Sequence, residues 1–166
     1  LWDSGGEDEL NLSNFSTDLV INLNPGTSST IPFFYNNSVW KLGDNLGIPN
    51  GAVIENVETG GGDDIIVGNA VSNEITTGAG SDKVVLREGD GGTNLADADK
   101  ITDFANGTDM LGLDDGLLYT DLTIAQGTDG NASDTIISVG AEYLAILEGF
   151  DVADLDQDDF IAVDIA

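Results

Sequence analysis

Two stretches decide how this chain is read: Thr59-Gly60-Gly61-Gly62-Asp63-Asp64 and, 18 residues later, Thr77-Gly78-Ala79-Gly80-Ser81-Asp82. Both have the form T-G-x-G-x-D. Weaker units sit between and before them, at Gly68-Asn69-Ala70-Val71-Ser72-Asn73 and Asn50-Gly51-Ala52-Val53-Ile54-Glu55. The underlying period is therefore nine: Val57, Ile66, Ile75 and Val84 are nine apart, and so are Glu55, Asp64, Asn73 and Asp82. Gly51, Gly60, Asn69 and Gly78 make a third register. A nine-residue period doubled to 18 predicts a flattened solenoid, each half-coil being a Gly-rich turn and a short strand. Loops one full period apart then stack on the same edge, and the apolar residue of each unit points into the coil.

The chemistry of such a stack is specific. Glycines at the second and fourth loop positions let the backbone turn tightly and aim its carbonyls inward. The aspartate at the sixth position adds a carboxylate. Two stacked loops supply about six oxygens, which suits Ca²⁺ at ~2.3–2.6 Å better than the smaller, partly hydrated Mg²⁺. The pattern G-G-x-G-x-D-x-U-x is an already recognised calcium-binding signature. A lone Asp63-Asp64 pair would read as an ordinary surface loop; the three registers are what point to metal.

Composition agrees and excludes much else. The 166 residues carry 31 acids against 4 bases and no histidine, a formal net charge of −27, and 23 of the acids are Asp. Without His or Cys there is no His/Cys zinc site, Ser-His-Asp triad, thiol nucleophile or disulfide. Such a surface repels nucleic acid and anionic lipid, and no apolar run approaches the ~20 residues of a membrane helix. Asp is a poor helix former but a short, hard oxygen ligand suited to turns. An acidic surface that serves solubility alone, as in halophiles, is the bland alternative that composition leaves open.

At these residues the chain resembles the RTX calcium-binding β-roll family, and within it the C-terminal domain of serralysin-type secreted metalloproteases. The resemblance starts at Leu1-Trp2-Asp3-Ser4-Gly5-Gly6-Glu7-Asp8. It runs through Val20-Ile21-Asn22-Leu23-Asn24-Pro25-Gly26, Val53-Ile54-Glu55-Asn56 and the repeats. It continues to Asp99-Lys100-Ile101-Thr102-Asp103-Phe104 and Gly107-Thr108-Asp109-Met110-Leu111-Gly112-Leu113, which look like the segment closing the roll. The resemblance implies two to three calcium ions. Gly60 and Gly62 carbonyls with Asp64 would face Thr77 and Ala79 carbonyls with Asp82. Gly78 and Gly80 carbonyls, with Asp82 again, would face Asp99 and Asp109. Gly6 and Asp8 would join the Val53 carbonyl and Glu55, and Asp3 and Gly5 resemble half of a further site. Asn69, Val71 and Asn73 keep side-chain oxygen only on the two asparagines and lack a clear partner loop, which weighs against a metal there.

The expected fold is all-β: a short parallel β-roll of about two coils (57–104) between an N-terminal β cap (1–56) and a C-terminal β cap (105–166), one domain in all. Ile31-Pro32-Phe33-Phe34-Tyr35 and Trp40 are expected to cover the roll. Leu86 to Ala98 reads as an inserted loop, and Leu122–Ala125, Thr135–Val139 and Tyr143–Leu147 as strands, with a hairpin tip between the first two. Asp158-Asp159-Phe160-Ile161-Ala162-Val163 resembles an uncleaved type I secretion signal, although an edge strand would look the same. The expected function is a calcium-binding module that folds outside the cell and supports type I secretion of a larger protein. Its partners would be calcium, the secretion machinery and an upstream domain. The alternatives are the non-catalytic end of a secreted zinc metalloprotease or other hydrolase, and a calcium-cemented adhesion or polysaccharide-binding module.

Overall fold

The structure is a computed structural model that describes residues 5–35, 38–40 and 43–165, with backbone alone for 33–35 and 38–40. The strands are β1 (Glu9–Asn11), β2 (Val20–Asn22), β3 (Ser28–Ser29), β4 (Phe33–Tyr35), β5 (Ser38–Trp40) and β6 (Leu46–Gly47). Next come β7 (Asn56–Glu58), β8 (Ile65–Val67), β9 (Glu74–Thr76), β10 (Lys83–Leu86), β11 (Asp99–Ile101) and β12 (Met110–Leu113). Last are β13 (Leu122–Gln126), β14 (Thr135–Val139), β15 (Glu142–Leu147) and β16 (Phe160–Ala162). Short 3-10 turns are the only helical elements described.

Apart from the pairs β3–β6 and β4–β5 and the hairpin strands β13 and β14, successive strands alternate between two sheets. One has the order β1-β7-β9-β11-β15-β14-β13 and the other β16-β12-β10-β8-β2. The nine-residue register becomes two ladders of inward side chains. Leu10, Val57, Ile75, Ile101 and Leu147 lie side by side in the first sheet. Ile21, Ile66, Val84, Leu111 and Phe160 do so in the second. All but the half-buried Phe160 are buried, and both ladders belong to one core cluster. Each such side chain contributes ~1.5–3 kcal/mol on burial, which is what lets three-residue strands persist.

The parallel roll is longer than the repeats suggested. Its ladders have five rungs, because β1 and β2 form a coil before the repeats and β15 and β16 form one after them. The segment from Asp99 to Leu113 is thus a coil within the roll, and a further coil follows it. The two outer coils carry no T-G-x-G-x-D loop, so only their apolar spacing marks them. Long excursions also separate their strands from the next coil. One, between β2 and β7, carries the antiparallel pairs β3–β6 and β4–β5. The other, between β12 and β15, carries β13, which pairs antiparallel with β14, itself antiparallel to β15.

The expected loop between Leu86 and Ala98 and the expected hairpin tip after β13 both form, the latter closed by Gly127 N–H to the Asp134 carbonyl (2.8 Å). The aromatic residues expected to cover the roll at 33–35 and Trp40 have side chains outside the described set. The C-terminal acid-then-apolar run is β16, an edge strand. Its Phe160 packs on Tyr119 with ring centroids 5.0 Å apart, and Ile161 stays 40% exposed.

Candidate calcium edge

Because strands alternate between sheets, turns alternate between two edges. The first edge stacks the turns preceding β2, β8, β10, β12 and β16. The second stacks the turns preceding β1, β7, β9, β11 and β15.

On the first edge the sixth-position aspartates form a directional chain. The Asp64 Oδ1 accepts the Leu19 N–H (2.7 Å), the Asp82 Oδ1 accepts the Asp64 N–H (2.8 Å), and the Asp109 Oδ1 accepts the Asp82 N–H (3.1 Å). Each carboxylate therefore caps the coil before its own. Asp64 and Asp82 are each only 1% exposed, and their Oδ2 atoms have no hydrogen-bond partner. A buried carboxylate oxygen without a partner is costly, because it has lost its water; the N–H on each Oδ1 and the nearby Thr59 and Thr77 hydroxyls offset only part of that for Asp64 and Asp82. Burial pushes the Asp82 carboxyl from 3.8 up to about 6; the Asp64 N–H opposes this, and the Asp109 and Asp64 charges add to it. Burial raises Asp64 and Asp109 in the same way, opposed by the Leu19 N–H and by the Ala105 and Asp82 N–H groups respectively.

The glycine pattern has an equally direct cause. A Cβ on Gly78 would collide with the Gly60 carbonyl oxygen, and one on Gly80 with the Gly62 carbonyl oxygen, with Gly80 at φ +152°. The loops 59–64 and 77–82 thus stack backbone on backbone, bringing together Gly60, Gly62, Asp64, Thr77, Gly78, Ala79, Gly80 and Asp82. Some of the carbonyls expected as ligands already accept a bond: Gly60 from Ala79 N–H (2.7 Å), Ala79 from Gly62 N–H (3.0 Å), and Thr77 from the Thr59 hydroxyl (2.7 Å). A carbonyl has a second lone pair, so this does not exclude a cation. Among the described residues no three carboxylates converge; the oxygens of this edge are a mixture of carboxylate and carbonyl. Taken with the two orphaned Oδ2 atoms, that set fits a hard divalent cation.

One placement differs from the sequence reading. Asp109 stacks on Asp82, but Asp99 does not face Gly78 and Gly80. It lies on the second edge, where its Oδ1 accepts the Asn73 N–H (2.9 Å) and burial pushes its carboxyl up to about 8. The inserted loop before β11 moves it half a coil onward. Gly6, Asp8, Val53 and Glu55 are on that edge too. There the Glu55 Oε2 accepts the Asp8 N–H (2.9 Å) and the Asp8 carbonyl accepts the Glu55 N–H (3.2 Å). Gly5 sits beside them at φ +96°, and Asp3 lies outside the described residues.

The sequence reading gave no role to Asp103. Its Oδ1 accepts the Thr77 N–H (2.9 Å) and its Oδ2 the Gly78 N–H (2.8 Å), fixing the start of the second T-G-x-G-x-D loop. Asp18 does similar work for the first loop by accepting the Asp63 N–H (3.2 Å). Neither aspartate falls in a repeat register, so spacing could not reveal it.

The fold agrees with what the chain is similar to. The family described as Peptidase M10 serralysin C terminal matches residues 1–138. Metallopeptidase AprA of Pseudomonas marginalis is 32% identical over 168 residues, covering 85% of this chain and 31% of that protein. Serralysin of Photorhabdus laumondii subsp. laumondii is 37% identical over 74 residues, and serralysin G of Dickeya chrysanthemi 40% over 75; each match covers 45% of this chain and 14% of the relative. The chain thus spans about a third or less of the relatives it matches. With the family match running from residue 1 to residue 138, within β14, this chain belongs to the serralysin-type peptidase M10 C-terminal domain family.

Proposed function

We propose that this domain is a calcium-dependent folding module that supports type I secretion of a larger, extracellular protein. The observation that carries the reading is the pair of buried, unpartnered carboxylate oxygens, Asp64 Oδ2 and Asp82 Oδ2, one coil apart on one edge. The calcium ligands would be Asp64, Asp82 and Asp109 with carbonyls of the 59–64 and 77–82 loops. A second, looser set would be Gly6, Asp8, Val53 and Glu55. Bound there, calcium supplies the positive charge that these oxygens lack. In calcium-poor cytosol the net charge of −27 keeps the chain open; outside the cell, calcium closes it.

The magnitudes are sufficient. Extracellular modules bind calcium with Kd of ~10⁻⁴–10⁻³ M. At ~10 mM calcium each site then adds on the order of 1.4–2.7 kcal/mol by mass action. Two or three sites are comparable with the ~5–15 kcal/mol net stability of a domain.

The relatives' names favour a second, compatible reading, in which the domain is the non-catalytic end of a secreted metallopeptidase. The chain has no histidine, so peptidase chemistry would belong to an upstream domain of the same polypeptide. Circular dichroism in EGTA, then in millimolar Ca²⁺ or Mg²⁺, tests the folding role. Loss of β signal in EGTA with recovery in Ca²⁺ alone is the expected result. An unchanged spectrum and melting point in excess EGTA would overturn it.

A further inference from the structure

We propose that the Asn69–Asn73 turn on the second edge is a cation-free clamp, in which the Asn73 amide nitrogen fills an oxygen cage that a calcium ion fills elsewhere in the roll. The comparison that carries this is between Asn73 and Asp82, which occupy the same position of the nonapeptide unit, nine residues apart. Each Oδ1 accepts one backbone N–H, that of Asp82 from Asp64 one coil back (2.8 Å) and that of Asn73 from Asn69 within its own turn (2.8 Å). The other terminal atom differs. Asp82 Oδ2 is buried without a partner. Asn73 Nδ2 faces three oxygens: the Glu55 carbonyl (3.0 Å), the Ile54 carbonyl (3.3 Å) and Asn69 Oδ1 (3.2 Å).

Asn69 completes the arrangement. Its Nδ2 donates to the Ile54 carbonyl (2.8 Å) and the Leu23 carbonyl (3.2 Å), and its Oδ1 accepts the Val71 N–H (3.1 Å). Both asparagines are buried, at 2% and 1% exposure. Their orientation follows from the surroundings, since each Nδ2 has only oxygens against it and each Oδ1 takes a backbone N–H. An amide carries two N–H donors and no net charge. It can therefore satisfy inward carbonyls without the charge balance that a carboxylate demands. The same position of the unit is thus filled in two ways, once by a carboxylate whose second oxygen is left without a partner and once by an amide whose nitrogen bonds the surrounding oxygens. The consequence is a roll with unequal edges: one that waits for calcium, and a middle turn opposite that closes without it.

This inference rests on the reading of Asp64 and Asp82 as calcium ligands only for the identity of the ion. The test counts calcium bound per chain, by equilibrium dialysis and metal analysis, for the wild type, Asn73→Ala and Asn73→Asp, with circular dichroism as the check on folding. Asn73→Ala should bind as many ions as the wild type and melt at a lower temperature in saturating calcium. Asn73→Asp should bind one ion more and depend more steeply on calcium. Loss of an ion in Asn73→Ala would mean that the turn is itself a metal site and would overturn the proposal. Failure of Asn73→Asp to gain an ion, or to fold at any calcium concentration, would also overturn it. A wild-type count of zero would defeat the calcium reading of the first edge, while a gain from none to one in Asn73→Asp would still support the clamp.

Discussion

The six oxygens or so that a stacked pair of loops offers are not equivalent, and single aspartates should differ in rank. Asp82 lies between Asp64 and Asp109 and both caps and is capped, whereas the Asp64 carboxylate caps a coil that carries no aspartate at the matching position. A hydrogen bond to a charged group contributes about 1.5–3 kcal/mol, equivalent to roughly a tenfold to hundredfold change in an equilibrium. Asp82→Ala should therefore raise the calcium midpoint by about tenfold or more, and by more than Asp64→Ala. Asp129→Asn, an exposed hairpin-tip acid at φ 53° replaced by a residue that tolerates that angle, should leave the midpoint unmoved. Equal midpoints for Asp82→Ala and Asp129→Asn in a calcium titration would contradict the assignment. The same residue predicts a pH effect in the calcium-free chain. Its carboxyl rises from 3.8 to about 6 in the folded chain, so the folded state holds a proton that the unfolded state releases. Stability from that proton is complete below about 4 and lost as pH rises through about 6, a change on the order of 3 kcal/mol. Chain freed of calcium by dialysis should thus recover more β signal at pH 5 than at pH 7.5, with the order removed or reversed in saturating calcium. A calcium-free β signal that rises with pH would count against protonation as calcium's substitute.

At the scale of elements, the turns rather than the strands set the fold. Gly80→Ala must place a Cβ against the Gly62 carbonyl at a backbone angle that side chains avoid, which costs on the order of 1–3 kcal/mol before the clash is counted. It should lower the melting temperature in saturating calcium, whereas Gly130→Ala, in open space, should cost far less; equal losses would mean that the loops do not stack. The repeats were legible because Val57, Ile66, Ile75 and Val84 keep strict spacing and the glycines mark every turn between them. The outer coils were not, because Leu10, Ile21, Leu147 and Phe160 hold their rungs by apolar contact alone, across excursions that erase the period. Asp99 shows how spacing can mislead. It stands 17 residues past Asp82, close enough to one period to read as the next loop. The ladder nonetheless runs from Ile75 directly to Ile101, 26 residues on, and carries Asp99 to the opposite edge. Asp103 was hidden for the same reason: the ladder sets it against Thr77, 26 residues earlier, a spacing that is no multiple of nine.

For the whole molecule, the roll's last strand is where folding and export meet. β16 adds to β12 in parallel, with the Val163 N–H on the Leu113 carbonyl (2.9 Å) and Phe160 against Tyr119. Deleting Asp159 to Ala166 removes an edge strand and none of the proposed ligands. It should cost about 1–3 kcal/mol of stability, leave the number of bound calcium ions unchanged and abolish export by a type I exporter, read by a secretion assay beside a calcium titration. Normal export would reduce the segment to a strand, and lost calcium binding would place it in the folding core. The capping chain along the first edge has an effect of its own on timing. Leu19 is capped from Asp64, Asp64 from Asp82 and Asp82 from Asp109, so each of the first three coils is finished by the one that follows it in sequence, while the Asp109 N–H of the fourth bonds the Ala105 carbonyl in its own turn (2.9 Å). During synthesis, which releases the N-terminal end first, each of those three coils emerges with its capped N–H group still unanswered. Completion must run backward along the chain, and a polypeptide delivered tail first would meet its caps in the order in which they are needed.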